Sequence, residues 1–268
     1  MQNSTNIEIS ASSCDAGDIK TLLKENQRLK NLLDEKNKLD VKKEIFLATL
    51  IHDLKTPLNG QIKSLQMLCN GHYGELSVPQ KSILEMTLES VEFVAELLNK
   101  VLSAFKYDNG DIVLDKTSFD VITLMQNCIN DISALAEDKN IKIVFNSSLY
   151  DSEKMLFADK SQIRRVISNI LNNAVSYAYK GTEIKINITR NDNNIIVETE
   201  NSSPEIPADI REHLFEKYVT GSDSYRKVGF GLGLYLARKV VEAHNGRIYL
   251  SANSTNNRFT FEIPVVES

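Results

Sequence analysis

The chain has 268 residues, enough for two domains of ordinary size, and its 42% apolar and 25% charged residues are those of a globular protein. A net charge of −5 gives no reason to expect nucleic acid or an anionic membrane surface as a partner. No run approaches the roughly 18 apolar residues of a membrane span, and the polar N-terminus is not a signal peptide. Cys14, Cys69 and Cys128 are odd in number and far apart, outside any metal-ligand spacing, so reduced thiols and a cytoplasmic location are expected.

Residues 1–17 are rich in Ser, Asn and Asp and form an arm with little to bury. Residues 18–43 turn to Lys, Glu, Asn and Leu. Leu22, Leu29, Leu32 and Leu39 fit a heptad seam interrupted by Lys36 and Lys43, which predicts a weak coiled coil leading into a dimer. In residues 44–108 the apolar stripe continues through Leu47, Ile51, Leu54, Leu58, Leu65 and Leu68. His52 falls one residue beyond that stripe and so should face solvent, with Asp53 beside it and Thr56 one helical turn on. Pro57 removes the bond its N–H would have made to the Asp53 carbonyl. An exposed imidazole next to a carboxylate is a candidate nucleophile with its base built in.

That helix should end near Asn70-Gly71, with a turn to Ser77, which caps a second helix bearing Pro79 in its first turn. Leu84, Leu88, Val91, Ala95, Leu98, Leu102 and Phe105 form its seam. Ile83, Val94, Leu97 and Val101 widen the apolar face beyond what one helix can cover, which predicts a four-helix bundle in a homodimer. Residues 107–111 read as a polar linker. Beyond Asp111 the pattern is mixed: helices over about 120–138 and 159–179, strands at 141–145, 184–188 and 195–199, a helix over 231–245 capped by Gly246, and a hairpin of 247–251 with 258–264. Antiparallel strands with helices gathered on one side predict an α+β sandwich over 111–268.

Three spaced motifs in that half carry chemistry. Asn169 and Asn173 stand i, i+4 on one helix, where an amide oxygen suits Mg²⁺. Glu200-Asn201-Ser202-Ser203-Pro204-Glu205-Ile206-Pro207 follows a strand and can receive a flat base. Gly229-Phe230-Gly231-Leu232-Gly233-Leu234 lets backbone approach phosphate oxygens at a helix N-terminus. With His52-Asp53-x-x-Thr56-Pro57 and Leu214-Phe215-Glu216-Lys217-Tyr218, these resemble, in order, the H-, N-, G1-, F- and G2-boxes of bacterial sensor histidine kinases. The resemblance covers roughly Lys43 to Val265.

The resemblance implies an α+β protein in which a dimerising phosphotransfer hairpin precedes a Bergerat-fold ATPase. It implies that His52 accepts the γ-phosphoryl group of ATP, that Asp53 polarises the ring, and that Thr56 helps place a water for dephosphorylation of a response-regulator aspartate. Asn173 would hold Mg²⁺. Asn169, Asn173, Tyr177, Asn201, Ile206, Lys217, Tyr218, Gly229, Gly231, Leu232, Gly233 and Leu234 would line the nucleotide. The implied partners are a second copy of the chain, a receiver domain, and a protein that supplies the signal. His72, His213 and His244 fit none of these roles. Departures fall at Asn201 (usually Asp) and Ser203 (usually Gly), a degenerate G1 box, at Ser176 of the N-box (usually basic) and at Phe230 of the glycine box (usually Thr), and they predict weakened or tuned ATP binding. They also support an alternative: a weakly catalytic pseudokinase that binds another kinase or a regulator.

Overall fold

The computed structural model describes residues 16–108, 112–220, 231–253 and 255–265. Contacts divide the chain into two compact units, Met1–Leu54 and Lys55–Ser268, with the division inside the first helix. That helix, α1 (Ala16–Cys69), continues through Pro57, and α2 spans Val78–Asp108. In α1 the heptad leucines Leu22, Leu29, Leu32 and Leu39 are all exposed. Gly71, at φ +77, makes the turn after α1. Ser77 opens α2, its backbone N–H and its hydroxyl both donating to Gln80 Oε1 at 2.9 Å. The α2 seam behaves as its spacing predicts, with Ala95 buried and Leu84, Leu88, Val91, Leu98, Leu102 and Phe105 half-buried. Ile83 and Val94, on the widened face, remain exposed.

The α/β part begins with the short strand β1 (Thr117–Asp120) and α3 (Val121–Asp138), then β2 (Lys142–Ser147), β3 (Met155–Ala158) and α4 (Lys160–Tyr177). Strands β4 (Glu183–Arg190) and β5 (Asn194–Ser202), α5 (Ala208–His213), α6 (Gly233–Ala243), β6 (Arg247–Ala252) and β7 (Asn256–Pro264) complete it. A five-stranded sheet runs β2-β4-β5-β7-β6, and α3, α4 and α6 pack as one helical layer with α4 in the middle. Ile184, Ile186 and Ile188 of β4 share a buried face with Ile195 and Val197 of β5. Together with Val166, Ile170 and Leu171 of α4 and Leu236, Val240 and Val241 of α6 they make one core.

Three expectations need correction. The sheet is not wholly antiparallel: β2 pairs with β4 in parallel, because residues 148–182 cross over through β3 and α4. The antiparallel pair β1–β3 was invisible, since each strand has four residues and the inward set is only Phe119 on one, paired in register with Leu156, and Leu156 and Ala158 on the other. The left-handed residue closing α6 is Asn245 at φ 58 rather than Gly246. Gly246 is required for another reason: a Cβ there would sit 2.1 Å from the Glu262 carbonyl oxygen. The linker expected at 107–111 also starts later, because Tyr107 and Asp108 still belong to α2 and Tyr107 is 9% exposed within the core. The arm through residue 15, Cys14 included, lies outside the described residues.

Candidate functional site

His52 projects from α1 with 81% of its side chain exposed, while Ile51, one residue earlier on the stripe, is 2% exposed. Its Nδ1 lies 3.4 Å from Asp53 Oδ1. A neutral imidazole with its proton on Nδ1 toward that carboxylate would carry its lone pair on Nε2, as a nucleophile requires. Thr56 follows one turn later on the same helix.

The second constellation lies along the C-terminal half of α4, the end of β5, the start of β7 and the start of α6, while the opposite end of α4 is fixed by a cap of its own. Asp159 caps α4, accepting from the backbone N–H of Ser161 and Gln162 at 3.0 and 3.1 Å. Burial opposes ionisation of Asp159, but the hydrogen bonds from Ser161, Gln162 and Asp115 outweigh it and hold the carboxyl below its ordinary pKa. His244 then joins the cap to the end of α6: its Nε2 accepts the Asp159 N–H at 3.0 Å, and its Nδ1 faces the Val240 carbonyl at 2.8 Å. Burial lowers the His244 pKa.

Two turns short of the C-terminus of α4, Asn169 donates Nδ2–H to the Gly233 carbonyl at 3.1 Å, which ties α4 to the start of α6. Asn173 stands half-buried one turn on, and the exposed Tyr177 ends the helix. The Tyr179 N–H donates to the Ser202 carbonyl at 3.0 Å and brings this end of α4 beside the end of β5. Asn201 is 2% exposed there, on the same buried face as Ile195, Val197 and Thr199. Asn257 of β7 lies opposite it in register. Lys139, at the end of α3, donates its ammonium to the Val175 and Ser176 carbonyls at 2.7 and 2.8 Å, placing a positive charge on the C-terminus of α4.

The remaining expected residues divide. Gly231, at φ +62, accepts from the Tyr218 N–H at 3.0 Å through its carbonyl, and Tyr218 itself is left-handed at φ 64. Leu232 is buried core and Leu234 packs against that core, so both support the site from behind. Gly233 opens α6 against Asn169. Ile206 contributes its carbonyl to Arg211. Lys217 is turned to Asp108 of α2, which also accepts from Tyr235 Oη, and its ammonium lies 5.2 Å from the Tyr235 ring centroid. Gly229 lies outside the described residues. Sequence reasoning missed Asn257, Lys139, Asp108 and Tyr235, none of which carries a motif of its own.

An Mg²⁺ ion would find few protein ligands in this donor set. Among the described residues no cluster of three or more His, Cys, Asp or Glu side chains forms a cage. The Asn173 amide would then offer one protein oxygen to an ion that keeps its waters and the nucleotide's phosphates.

An exposed histidine on a helical hairpin, followed by a nucleotide-type α/β sandwich, defines a phosphotransfer protein of two parts. Residues 42–110 match the His Kinase A (phospho-acceptor) domain, and residues 158–267 match the histidine kinase-, DNA gyrase B-, and HSP90-like ATPase domain. The chain belongs to the sensor histidine kinase family. It is 28% identical over 229 residues to the adaptive-response sensory kinase SasA of Microcystis aeruginosa, covering 83% of this chain and 59% of that protein. It therefore spans less than two thirds of that relative. Full-length ShkA in complex with AMPPNP superposes with a TM-score of 0.70 at 26% identity, over 83% of this chain and 46% of that one. The histidine kinase ThkA in complex with the response regulator TrrA shares the fold, with a TM-score of 0.54 at 21% identity over 84% of this chain and 65% of that one. No helix among the described residues is long and apolar enough to cross a membrane.

Proposed function

We propose that this chain is the transmitter part of a two-component sensor kinase, which uses Mg-ATP to phosphorylate His52 and passes the group to an aspartate of a receiver domain. The observation that carries the reading is His52 itself: exposed, backed by Asp53 at 3.4 Å, and within the stretch that matches the phosphoacceptor domain. Nε2 attacks the γ-phosphorus, the bond to the ADP oxygen breaks, and the charge that develops on the ring is met by the Asp53 carboxylate beside Nδ1. Asn169, Asn173, Tyr177, Asn201 and the Gly231–Leu234 turn hold the nucleotide. Bound Mg²⁺ supplies neutralisation of phosphate charge, with Asn173 as its protein ligand.

The chain acts as a homodimer, because Leu54 at 44% exposed, Ile83, Met86 and Val94 leave apolar surface on α1 and α2 that a second hairpin would cover. A receiver domain is the partner by analogy with the regulator complex of ThkA. The ATP and receiver chemistry belongs to the cytoplasm. Incubation with γ-labelled Mg-ATP tests the reading: the label should be acid-labile and base-stable, and His52→Ala and Asn173→Ala should each abolish it. Label that persists in the His52 variant refutes the assignment.

A further inference from the structure

Among the described residues, one buried side-chain atom is left without a hydrogen bond: Asn257 Oδ1. Asn257 is 3% exposed and lies directly opposite Asn201 in the β5–β7 register. Side chains opposite each other on antiparallel strands share a face, with Cβ atoms roughly 5 Å apart. The other half of the amide is fixed. Nδ2 donates to Ser203 Oγ at 2.5 Å and to the Pro204 carbonyl at 3.3 Å. A carbonyl can only accept, so the amide cannot be turned around, and its oxygen is held as an acceptor. An unpaired buried acceptor is costly enough that native structures rarely keep one without a ligand or water to meet it.

Position 201 has a matching deficit. A carboxylate there would be acceptor-only and would reject a 6-oxo purine, whereas an isolated amide can offer either its oxygen or its NH₂. Asn201 alone cannot tell adenine from hypoxanthine or guanine. Resting on the ATP-binding reading, we infer that Asn257 restores that discrimination: its locked Oδ1 accepts one hydrogen of the base's exocyclic amino group, directly or across a single water, while Asn201 accepts the other. Ser203 then has a function as the hydroxyl that pins Asn257.

The test is titration of the full chain with Mg-ADP and Mg-IDP, the 6-oxo analogue, in wild type and Asn257→Ala, with the melting curve of each as a control. Asn257→Ala should weaken ADP about tenfold, as expected for one hydrogen bond, and leave IDP unchanged or tighter. An equal loss for both nucleotides, or unchanged selectivity, overturns the assignment. Should the variant fail to fold, wild type alone decides with N6-methyl-ADP. With both amino hydrogens in use it should bind about tenfold more weakly than ADP, and equal affinity overturns the proposal. A wild-type chain that binds no ADP sinks the ATP reading as well, whereas normal ADP binding with unaltered selectivity sinks this inference alone.

Discussion

Gly231 offers the sharpest test of how the nucleotide site is built. Its φ of +62 places any L side chain in the left-handed region, at roughly 1–2 kcal/mol. A Cβ would also lie 2.5 Å from the Val219 carbonyl oxygen and 2.6 Å from both Tyr218 C and Val219 N, all of them backbone. Relieving such overlap typically costs about 1–3 kcal/mol, so Gly231→Ala should bear about 2–5 kcal/mol in all. The cheapest escape is to break the Tyr218 N–H to Gly231 carbonyl bond and open that stem, so the cost should appear as lost nucleotide affinity. At about 1.4 kcal/mol per tenfold, ADP should bind at least thirtyfold more weakly. Gly181→Ala is the control. Its φ is +74 but nothing lies within 4 Å of the new Cβ, so it should cost only the first part and leave ADP affinity unchanged. Calorimetric titration and denaturant midpoints of both variants decide the matter. An ADP affinity for Gly231→Ala within about threefold of wild type would refute the reasoning, since about 2 kcal/mol corresponds to thirtyfold.

Thr56→Val should keep autophosphorylation of His52 but slow dephosphorylation of the cognate regulator, because only the second reaction needs a hydroxyl to hold water in line; equal loss of both would point to a general defect in the helix. Ser176→Lys should tighten Mg-ATP binding and make it more salt-sensitive, and an unchanged affinity would mean that another cation already serves the phosphates. For His244, burial depresses the folded pKa below 6.5, so below that pH the unfolded chain binds more protons and stability falls as pH drops. Denaturation midpoints at pH 7.5 and 5.5 should fall more in wild type than in His244→Gln, and parallel losses would exonerate His244. His213 shifts the opposite way through Glu216, so only the difference between the two proteins reports on His244.

The seam of α2 and the long helices α4 and α6 were readable because their apolar residues recur at helical spacing over many turns. His52 was readable for the complementary reason, since it breaks the stripe by one residue. The pair β1–β3 was not, because four residues cannot establish a period. The parallel partner of β2 was hidden because strand direction is fixed by a crossover, not by the strand's own residues. Asn257 shows the limit most clearly. Its meaning lies in the register that sets it against Asn201 and in the turn that fixes its amide, and neither is local in sequence. Asp108 looked like a linker charge because a run of polar residues followed it, yet it receives both Lys217 and Tyr235.

That last contact alters where the catalytic half physically begins. Tyr107 Oη donates to Gln162 Oε1 at 2.7 Å, the Arg165 guanidinium lies 6.0 Å from its ring centroid, and Ala104 is part of the same core. A fragment cut at residue 111 would lose all of these and bare the surface they cover, so a catalytic fragment that starts upstream of Ala104 should be the more stable of the two. The same attachment makes α2 a lever. Its 31 residues span about 46 Å at 1.5 Å per residue, gripped at one end by side chains of α4 and α6. A tilt of about 10° along such a rod sweeps its far end through about 8 Å. Run in reverse, a displacement imposed at the Val78 end reaches Lys217 and Tyr235 as a small, geared-down rotation, which is a mechanical input to the helix whose first turn carries Gly233.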